Sequence, residues 1–225
     1  FYRAFDAYMN SNTEYPDYIM YEVSSFDVGV LAIFGLQATS VKISVYSSDD
    51  ILMQEIEKQT AQREAQDWYA WTYEGKEFSR SVHFLNIRKV YGGKIKIEIF
   101  NIGDIAKCSH LVYGKEKNLG LSLLEPSPVT SIRNIISKEK DTDGITKTTG
   151  SMTYKRVVIS VMIDNSNLDF ILERLERFNT TPCLYLGDER EDGQSSLNVY
   201  GLYKDFDLPI GINQSIYQLE IDGVI

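Results

Sequence analysis

The sequence predicts an α+β fold dominated by β-strands, with a β-sandwich in the first half followed by a second antiparallel sheet that carries one helix. Apolar and polar residues alternate over Val41–Tyr46 and Lys94–Ile99, the period-two pattern of half-buried strands. Fifteen Tyr and ten Phe add side chains that favour strands. Only Asn167–Phe178 places several apolar residues at helical spacing on one face.

The first 113 residues are expected to form a short leading segment and then the sandwich. Residues 1–16 show no clear period and are interpreted as an arm or an incomplete leading segment. Residues 17–113 form the predicted β-sandwich domain, because short apolar segments alternate there with turn residues. The predicted strands are Tyr18–Val23, Val28–Phe34, Val41–Tyr46, Ser81–Leu85 and Lys94–Phe100. A hairpin turn is predicted at Tyr91–Lys94, because its two glycines permit positive φ.

Two segments lack a single clear pattern. Residues 49–66 fit either a helix, with Ile51, Leu52 and Ile56 on one face, or a strand followed by a polar loop. We favour the strand and loop, because the flanking elements are predicted strands. Residues 114–150 are predicted to be an irregular connecting region, because Pro126 and Pro128 interrupt strand pairing and Asp141–Gly144 is typical of a turn.

Residues 151–225 predict a β-rich domain with one helix, in the order β-α-β-β-β. The strand Tyr154–Ile163 is mostly apolar, and the helix Asn167–Phe178 follows it. Ser166 and Asp169 resemble a capping box at the helix N-terminus. The apolar face of the helix consists of Leu168, Ile171, Leu172, Leu175 and Phe178, and the remaining predicted strands are Pro182–Leu186, Leu197–Tyr203 and Tyr217–Ile221.

Charge and hydropathy argue against nucleic-acid and membrane partners. The net charge is −9, and a negative field repels phosphate backbones. The longest near-continuous apolar stretch, Val28–Leu36, is far shorter than the roughly 20 residues that span a bilayer. Cys108 and Cys183 are predicted to be reduced core residues, with a disulfide as the alternative.

No motif in the sequence predicts catalysis, a metal or a cofactor. The acidic segment Asp188–Gly193 fails the calcium-loop pattern, because position 3 is Arg190 and position 12 is Val199. Cys108 and His110 would lie about 6–7 Å apart on one strand face, which is too far for a catalytic dyad. The chain is therefore predicted not to be an enzyme and to use no cofactor.

The aromatic run from Trp68 to Tyr73 provides the candidate interaction residues. In a strand, Tyr69, Trp71 and Tyr73 would share one face. Three aligned rings can pack in a core, anchor a protein interface or stack on sugar rings. The sequence favours core packing and leaves the interface and the glycan-binding role as alternatives.

Several ordered segments resemble a family of structural proteins from tailed bacteriophages, described as particle or tail components. The resemblance covers roughly residues 30–225. Its segments are Asp67–Tyr73, Ala106–Cys108, Leu111–Gly114, Leu119-Gly120, Tyr154–Val157, Pro182–Tyr185, Gly187, Val199–Phe206 and Leu219–Gly223.

The resemblance implies a structural component of a phage tail or neck, located in the virion and assembled in the bacterial host cytoplasm. Expected partners are further copies of the chain and other virion structural proteins. The alternative from another class is a carbohydrate-binding module that adsorbs to a host-surface glycan through Tyr69, Trp71 and Tyr73. The family supplies no catalytic residue to transfer to this sequence.

Overall fold

A computed structural model describes residues 11–24, 27–62, 68, 77–140, 146–188, 195–204 and 208–224. The chain divides into two compact units, Phe1–Lys117 and Asn118–Ile225. Strands dominate both units, and all strand pairs are antiparallel. The predicted α+β class with a dominant β content is confirmed.

The first unit contains two main sheets that contribute to one core. Its strands are β1 (Thr13–Ser24), β2 (Val30–Phe34), β3 (Ser40–Tyr46), β4 (Leu52–Gln59), β5 (Ala61–Gln62), β6 (Glu77–Phe78), β7 (Ser81–Phe84), β8 (Lys94–Cys108) and β9 (His110–Gly114). The sheet orders are β1-β8-β3-β4 and β7-β2-β9, and β5 pairs with β6. Alternate residues of β3 and β8, such as Ile43 and Ile97, pack with Leu31 of β2 and Phe84 of β7 in one hydrophobic cluster.

The described residues of the second unit form one sheet and one α-helix. Its strands are β10 (Leu121–Leu123), β11 (Val129–Lys140), β12 (Thr146–Asp164), β13 (Cys183–Tyr185), β14 (Val199–Tyr203) and β15 (Gln214–Gly223). The order is β10-β12-β15-β14-β13, with β11 also paired to β12. Helix α1 (Leu168–Arg177) lies between short 3-10 turns at Asn165–Asn167 and, later in the chain, Ser195–Leu197.

Helix α1 packs on this sheet through the side of the helix that the apolar spacing predicts. Leu168, Ile171 and Leu175 are buried against a cluster that includes Val157, Leu219 and Ile221, and Leu172 packs at its margin. Phe178 differs from the prediction, because it lies just beyond the helix and is 39% exposed.

The predicted capping box at Ser166 and Asp169 is wrong. No side chain caps α1, and the preceding 3-10 turn brings the chain into the helix. Asn165 holds this turn instead: its amide Nδ2 donates to the Gly211 carbonyl (2.7 Å), and the Ser215 hydroxyl donates to its Oδ1 (2.6 Å). A long-range hydrogen-bond pair therefore replaces the local cap.

Two further predictions differ from the structure. The turn at Tyr91–Lys94 is not a hairpin, because β7 before it pairs with β2, whereas β8 after it pairs with β1 and β3. Within 1–16, residues 13–16 belong to β1. Pro16 is compatible with β1 because that strand is at the edge of its sheet.

The predicted irregular region 114–150 contains β10, β11 and the first part of β12. Pro126 and Pro128 lie between β10 and β11, so they interrupt the chain without preventing the strands on either side. In the ambiguous segment 49–66, the described residues 52–62 form strands β4 and β5, which confirms the strand alternative there.

Candidate interaction surfaces

Strand β1 forms one edge of the four-stranded sheet and presents apolar side chains to solvent. Ile19 is buried, but Tyr15, Tyr18 and Met20 are 62%, 44% and 47% exposed. The Tyr18 ring stacks on Phe100 of β8 with 6.1 Å between the ring centroids. The neighbouring strand thus supports this ring while leaving much of it accessible for contact with another molecule.

A β-bulge shapes the β1–β8 pair. The register shifts between Pro16, opposite Ile105, and Asp17, opposite Asn101. Asp17 has φ +65°, and its carboxylate accepts a hydrogen bond from the Gly103 N–H at 2.9 Å. Gly103 itself has φ +83°, a conformation that glycine adopts without strain. The bulge therefore follows from an Asp and a Gly placed opposite each other at the sheet edge.

Strands β11 and β12 continue as a two-stranded ribbon beyond the sheet. β15 pairs with β12 only over Arg156–Asp164, whereas β11 pairs with β12 as far as Lys140 opposite Thr146. We call the paired segments Ile132–Lys140 and Thr146–Lys155 the ribbon. At about 3.3 Å per residue it is about 30 Å long. No third strand pairs with the ribbon among the strands that the structure describes.

The described β11 side chains at the base of the ribbon are exposed. Ile132 is 76% exposed, and Arg133 and Asn134 next to it are also exposed. An isolated two-stranded hairpin is marginally stable in water. A long ribbon of this kind therefore gains stability when a further strand or surface covers it.

An apolar row crosses the face of the second sheet opposite helix α1. Leu121, Met162 and Ile216 are directly paired on β10, β12 and β15, so they lie side by side on one face. Leu121 and Ile216 are 61% and 50% exposed. Val129, opposite Val158, extends this apolar surface with 55% exposure.

An ion cluster occupies the same sheet near Gly223. The Arg156 guanidinium binds Asp222 through two parallel contacts (2.7 and 3.2 Å) and Glu220 through a third (2.9 Å). Lys204 approaches Glu220 at 3.2 Å and Asp222 at 3.4 Å. The hydrogen bond that Arg156 donates to the Asp222 carboxylate raises the pKa of Arg156, and the hydrogen bond that Lys204 donates to Glu220 raises the pKa of Lys204. The mutual neutralisation of these charges fits a role in joining β12, β14 and β15.

The candidate nucleophiles and metal ligands are not arranged for chemistry in the described residues. Cys108 and Cys183 are free thiols, and burial raises the pKa of the Cys108 thiol to about 12. The Cys108 sulfur donates to the His110 main-chain carbonyl (3.9 Å), not to its ring. Within the described ranges, no group of three or more His, Cys, Asp or Glu side chains could hold a metal ion.

Tyr69, Trp71 and Tyr73 lie outside the described residues, as does the acidic segment from 189 to 193. Trp68, at the start of the aromatic run, is described and is 78% exposed. For these three rings, core packing stays the favoured prediction, with a protein interface and glycan binding as the alternatives.

Sequence reasoning identified Tyr18–Val23 of β1 but missed residues 13–17 of that strand and the ribbon. β1 contains Pro16 and an irregular apolar pattern, since only one of its side chains is buried. The ribbon had a detectable signal: β-branched residues on both sides of the predicted Asp141–Gly144 turn are typical of a hairpin. The Gly, Pro, Ser and Thr content of the surrounding segment concealed that pattern.

Exposed strand edges and apolar rows can form main-chain hydrogen bonds and hydrophobic contacts with another protein. No family model matches the chain, and no curated protein or solved structure is significantly similar to it. No helix in the described part of the chain is long and apolar enough to cross a membrane.

Proposed function

We propose that the chain is a structural component of a bacteriophage tail or neck that assembles with itself and with other virion proteins. The observation that carries this proposal is the ribbon, a long strand pair that extends beyond a sheet whose core is otherwise complete. Broad contacts through such a segment suit a subunit of an assembly better than binding of a small ligand.

The energetics support an assembled state. Open strand edges present main-chain groups that can pair with another chain, and soluble monomers usually shield them. β1 and β11 are edge strands of 12 residues each among the described strands. Exposed side chains such as Tyr15 and Ile132 would lose their contact with water when a neighbour covers them.

The assignment to a phage particle rests on the sequence resemblance. Several residues of the matching segments have structural roles: Cys108 is buried in the first core, and Arg156 pairs with Asp222. At Gly201, an added Cβ would clash with the Asp222 carbonyl oxygen. The resemblance therefore supports a shared fold, from which we infer a virion location, assembly in the bacterial cytoplasm and the absence of enzymatic activity.

Copy number in particles and self-association in solution test the proposal together. Mass spectrometry of purified particles should detect many copies of the chain per particle. Sedimentation velocity of the purified chain should show larger species as its concentration increases. In a structure of the assembly, each interface should bury at least about 1,000 Å² in total. A chain that is absent from particles and stays monomeric at high concentration would contradict the proposal.

The glycan-binding alternative is tested separately with the three candidate rings. The glycan-binding role would be supported if the chain binds to an array of bacterial surface oligosaccharides and a triple variant loses that binding. The triple variant carries Tyr69→Ala, Trp71→Ala and Tyr73→Ala. Tyr91→Ala is a matched control, because Tyr91 is 86% exposed and lies outside the aromatic run. Equal binding by the triple variant and the control would rule out these rings as the glycan site.

A further inference from the structure

We propose that the chain assembles by strand addition, in which the β11 edge of one copy pairs with the β1 edge of the next copy. This inference rests on the proposed self-assembly and names the surfaces that carry it. The two surfaces differ, so the contact is heterologous and can propagate around a ring or along a filament.

The two strands are matched in length and accessibility. Each has 12 residues and is paired on one side only among the described strands, β1 with β8 and β11 with β12. β15 pairs on the opposite side of β12, because Arg156–Val158 pair with both β11 and β15, so β15 does not cover the outer edge of β11. Strand addition would convert the two-stranded ribbon into part of a larger sheet, where it is more stable.

The charges of the two strands are complementary. The sequence of β1, TEYPDYIMYEVS, contains three acidic residues and no basic one. The sequence of β11, VTSIRNIISKEK, contains three basic residues and one acidic residue, within a chain of net charge −9. Pairing β1 with β11 brings opposite charges together, and such complementarity guides association and selects the partner.

The alternative strand pairings are less favourable. β1 against β1 would bring Glu and Asp residues together, and β11 against β11 would bring Arg and Lys residues together, which is destabilising across strands. β4, the other edge of the four-stranded sheet, is shorter, and its Glu55 already forms an ion pair with Lys42 at 2.9 Å. Apolar contacts also match, because Tyr18 and Met20 on β1 and Ile132 on β11 are all exposed.

A charge-swap experiment on the full-length chain tests this contact. Glu22 and Arg133 are both exposed on their strands. Glu22→Lys and Arg133→Glu should each weaken self-association about five- to tenfold, because each replaces attraction with repulsion. The double variant should recover most of the wild-type affinity. The Debye length of about 10 Å at moderate salt corresponds to about three residues along a strand, so recovery in the double variant requires the contact to place Glu22 and Arg133 within about that distance.

Matched controls and a second measurement make the result specific. Glu57→Lys on β4 and Arg88→Glu are equal charge changes at exposed sites outside the proposed contact, and both should leave self-association unchanged. Hydrogen exchange should show new protection of main-chain amides in residues 13–24 and 129–140 upon assembly. Circular dichroism should confirm that every variant is folded.

The outcomes separate this inference from the proposed function. The strand-addition contact alone would be overturned if the wild-type chain assembles without protection of β1 and β11 and neither charge reversal changes its self-association. A wild-type chain that remains monomeric would overturn both the contact and self-assembly. Recovery in the double variant, together with protection of both strands, would establish the contact even for a chain that is absent from virions.

Discussion

Individual side chains differ strongly in how much they stabilise the helix against the second sheet. Leu175 is 3% exposed within the core cluster, whereas Leu172 only packs against its margin. We expect Leu175→Ala to lower the free energy of unfolding by about 2–5 kcal/mol, because it leaves a cavity in a close-packed core. Urea denaturation followed by circular dichroism measures this loss.

Leu172→Ala is the matched control for this prediction. The substitution removes the same atoms from the same helix, but at a position that solvent partly reaches. Leu172→Ala should lower the free energy of unfolding clearly less than Leu175→Ala does. Equal losses at the two positions would mean that α1 packs on the sheet in a different rotation about its axis.

Buried ionisable groups make stability depend on pH in the alkaline range. Burial raises the pKa of the Cys108 thiol from 9.0 to about 12 and the pKa of the Tyr217 phenol from 10.0 to about 12. The unfolded chain therefore releases these protons at a lower pH than the folded chain. The stabilisation is complete below about pH 9 and is lost progressively between about pH 9 and pH 12.

Thermal unfolding at increasing pH tests this prediction. The free energy of unfolding should fall by up to about 1.4 kcal/mol per pH unit for each group. Tyr217→Phe should reduce the slope, although it also lowers stability at neutral pH by removing the hydrogen bond to the Leu119 carbonyl (2.9 Å). A melting temperature independent of pH in this window would contradict the buried, protonated state of both groups.

At the scale of elements, the Arg156 cluster joins neighbouring strands through charge. Replacing Arg156 with Met would leave Asp222 and Glu220 close together with only Lys204 to balance them. We expect this variant to unfold at a lower urea concentration than the wild type. Lys204→Met should have a smaller effect, because the Lys204 side chain is 45% exposed whereas that of Arg156 is 17% exposed.

The salt dependence of unfolding adds an independent check on the ion cluster. Added salt should lower the free energy of unfolding of the wild type more than that of Arg156→Met, because salt screens the attraction that the variant lacks. If Lys204→Met lowered the free energy of unfolding more than Arg156→Met, Lys204 and not Arg156 would be the main partner of the two carboxylates.

Elements were predictable where each face of a strand or helix has one environment. Alternation identified β3 and the first half of β8, because apolar side chains occupy one face of each strand and mostly polar side chains occupy the other. Helical spacing identified α1 for the same reason. β11 and residues 13–17 of β1 escaped prediction because they belong to edge strands with little described burial, so no strong hydrophobic pattern is required of them.

The candidate site was less predictable than the fold. The sequence pointed to Tyr69, Trp71 and Tyr73, which lie outside the described residues, whereas the exposed strands of the structure are elsewhere. A surface that binds another protein through its main chain has few side-chain requirements. Strand edges therefore leave a weaker trace in one sequence than a catalytic motif does.

At the scale of the whole molecule, the two units are expected to fold independently. Every buried member of the first hydrophobic cluster lies between Ile19 and Cys108, and every buried member of the second lies between Val157 and Ile221. The division between Lys117 and Asn118 falls outside both clusters. Each unit, at just over 100 residues, is large enough to bury a core of its own.

Separate expression of residues 1–117 and 118–225 tests this independence. Both fragments should unfold cooperatively in urea, and the sum of their far-ultraviolet circular dichroism spectra should match that of the full chain, because each retains its own cluster. The Leu175→Ala substitution should shift the unfolding midpoint of fragment 118–225 as it shifts the full chain, whereas fragment 1–117 serves as the unaffected reference. A fragment that binds a hydrophobic dye and unfolds without cooperativity would show that its core depends on the other unit.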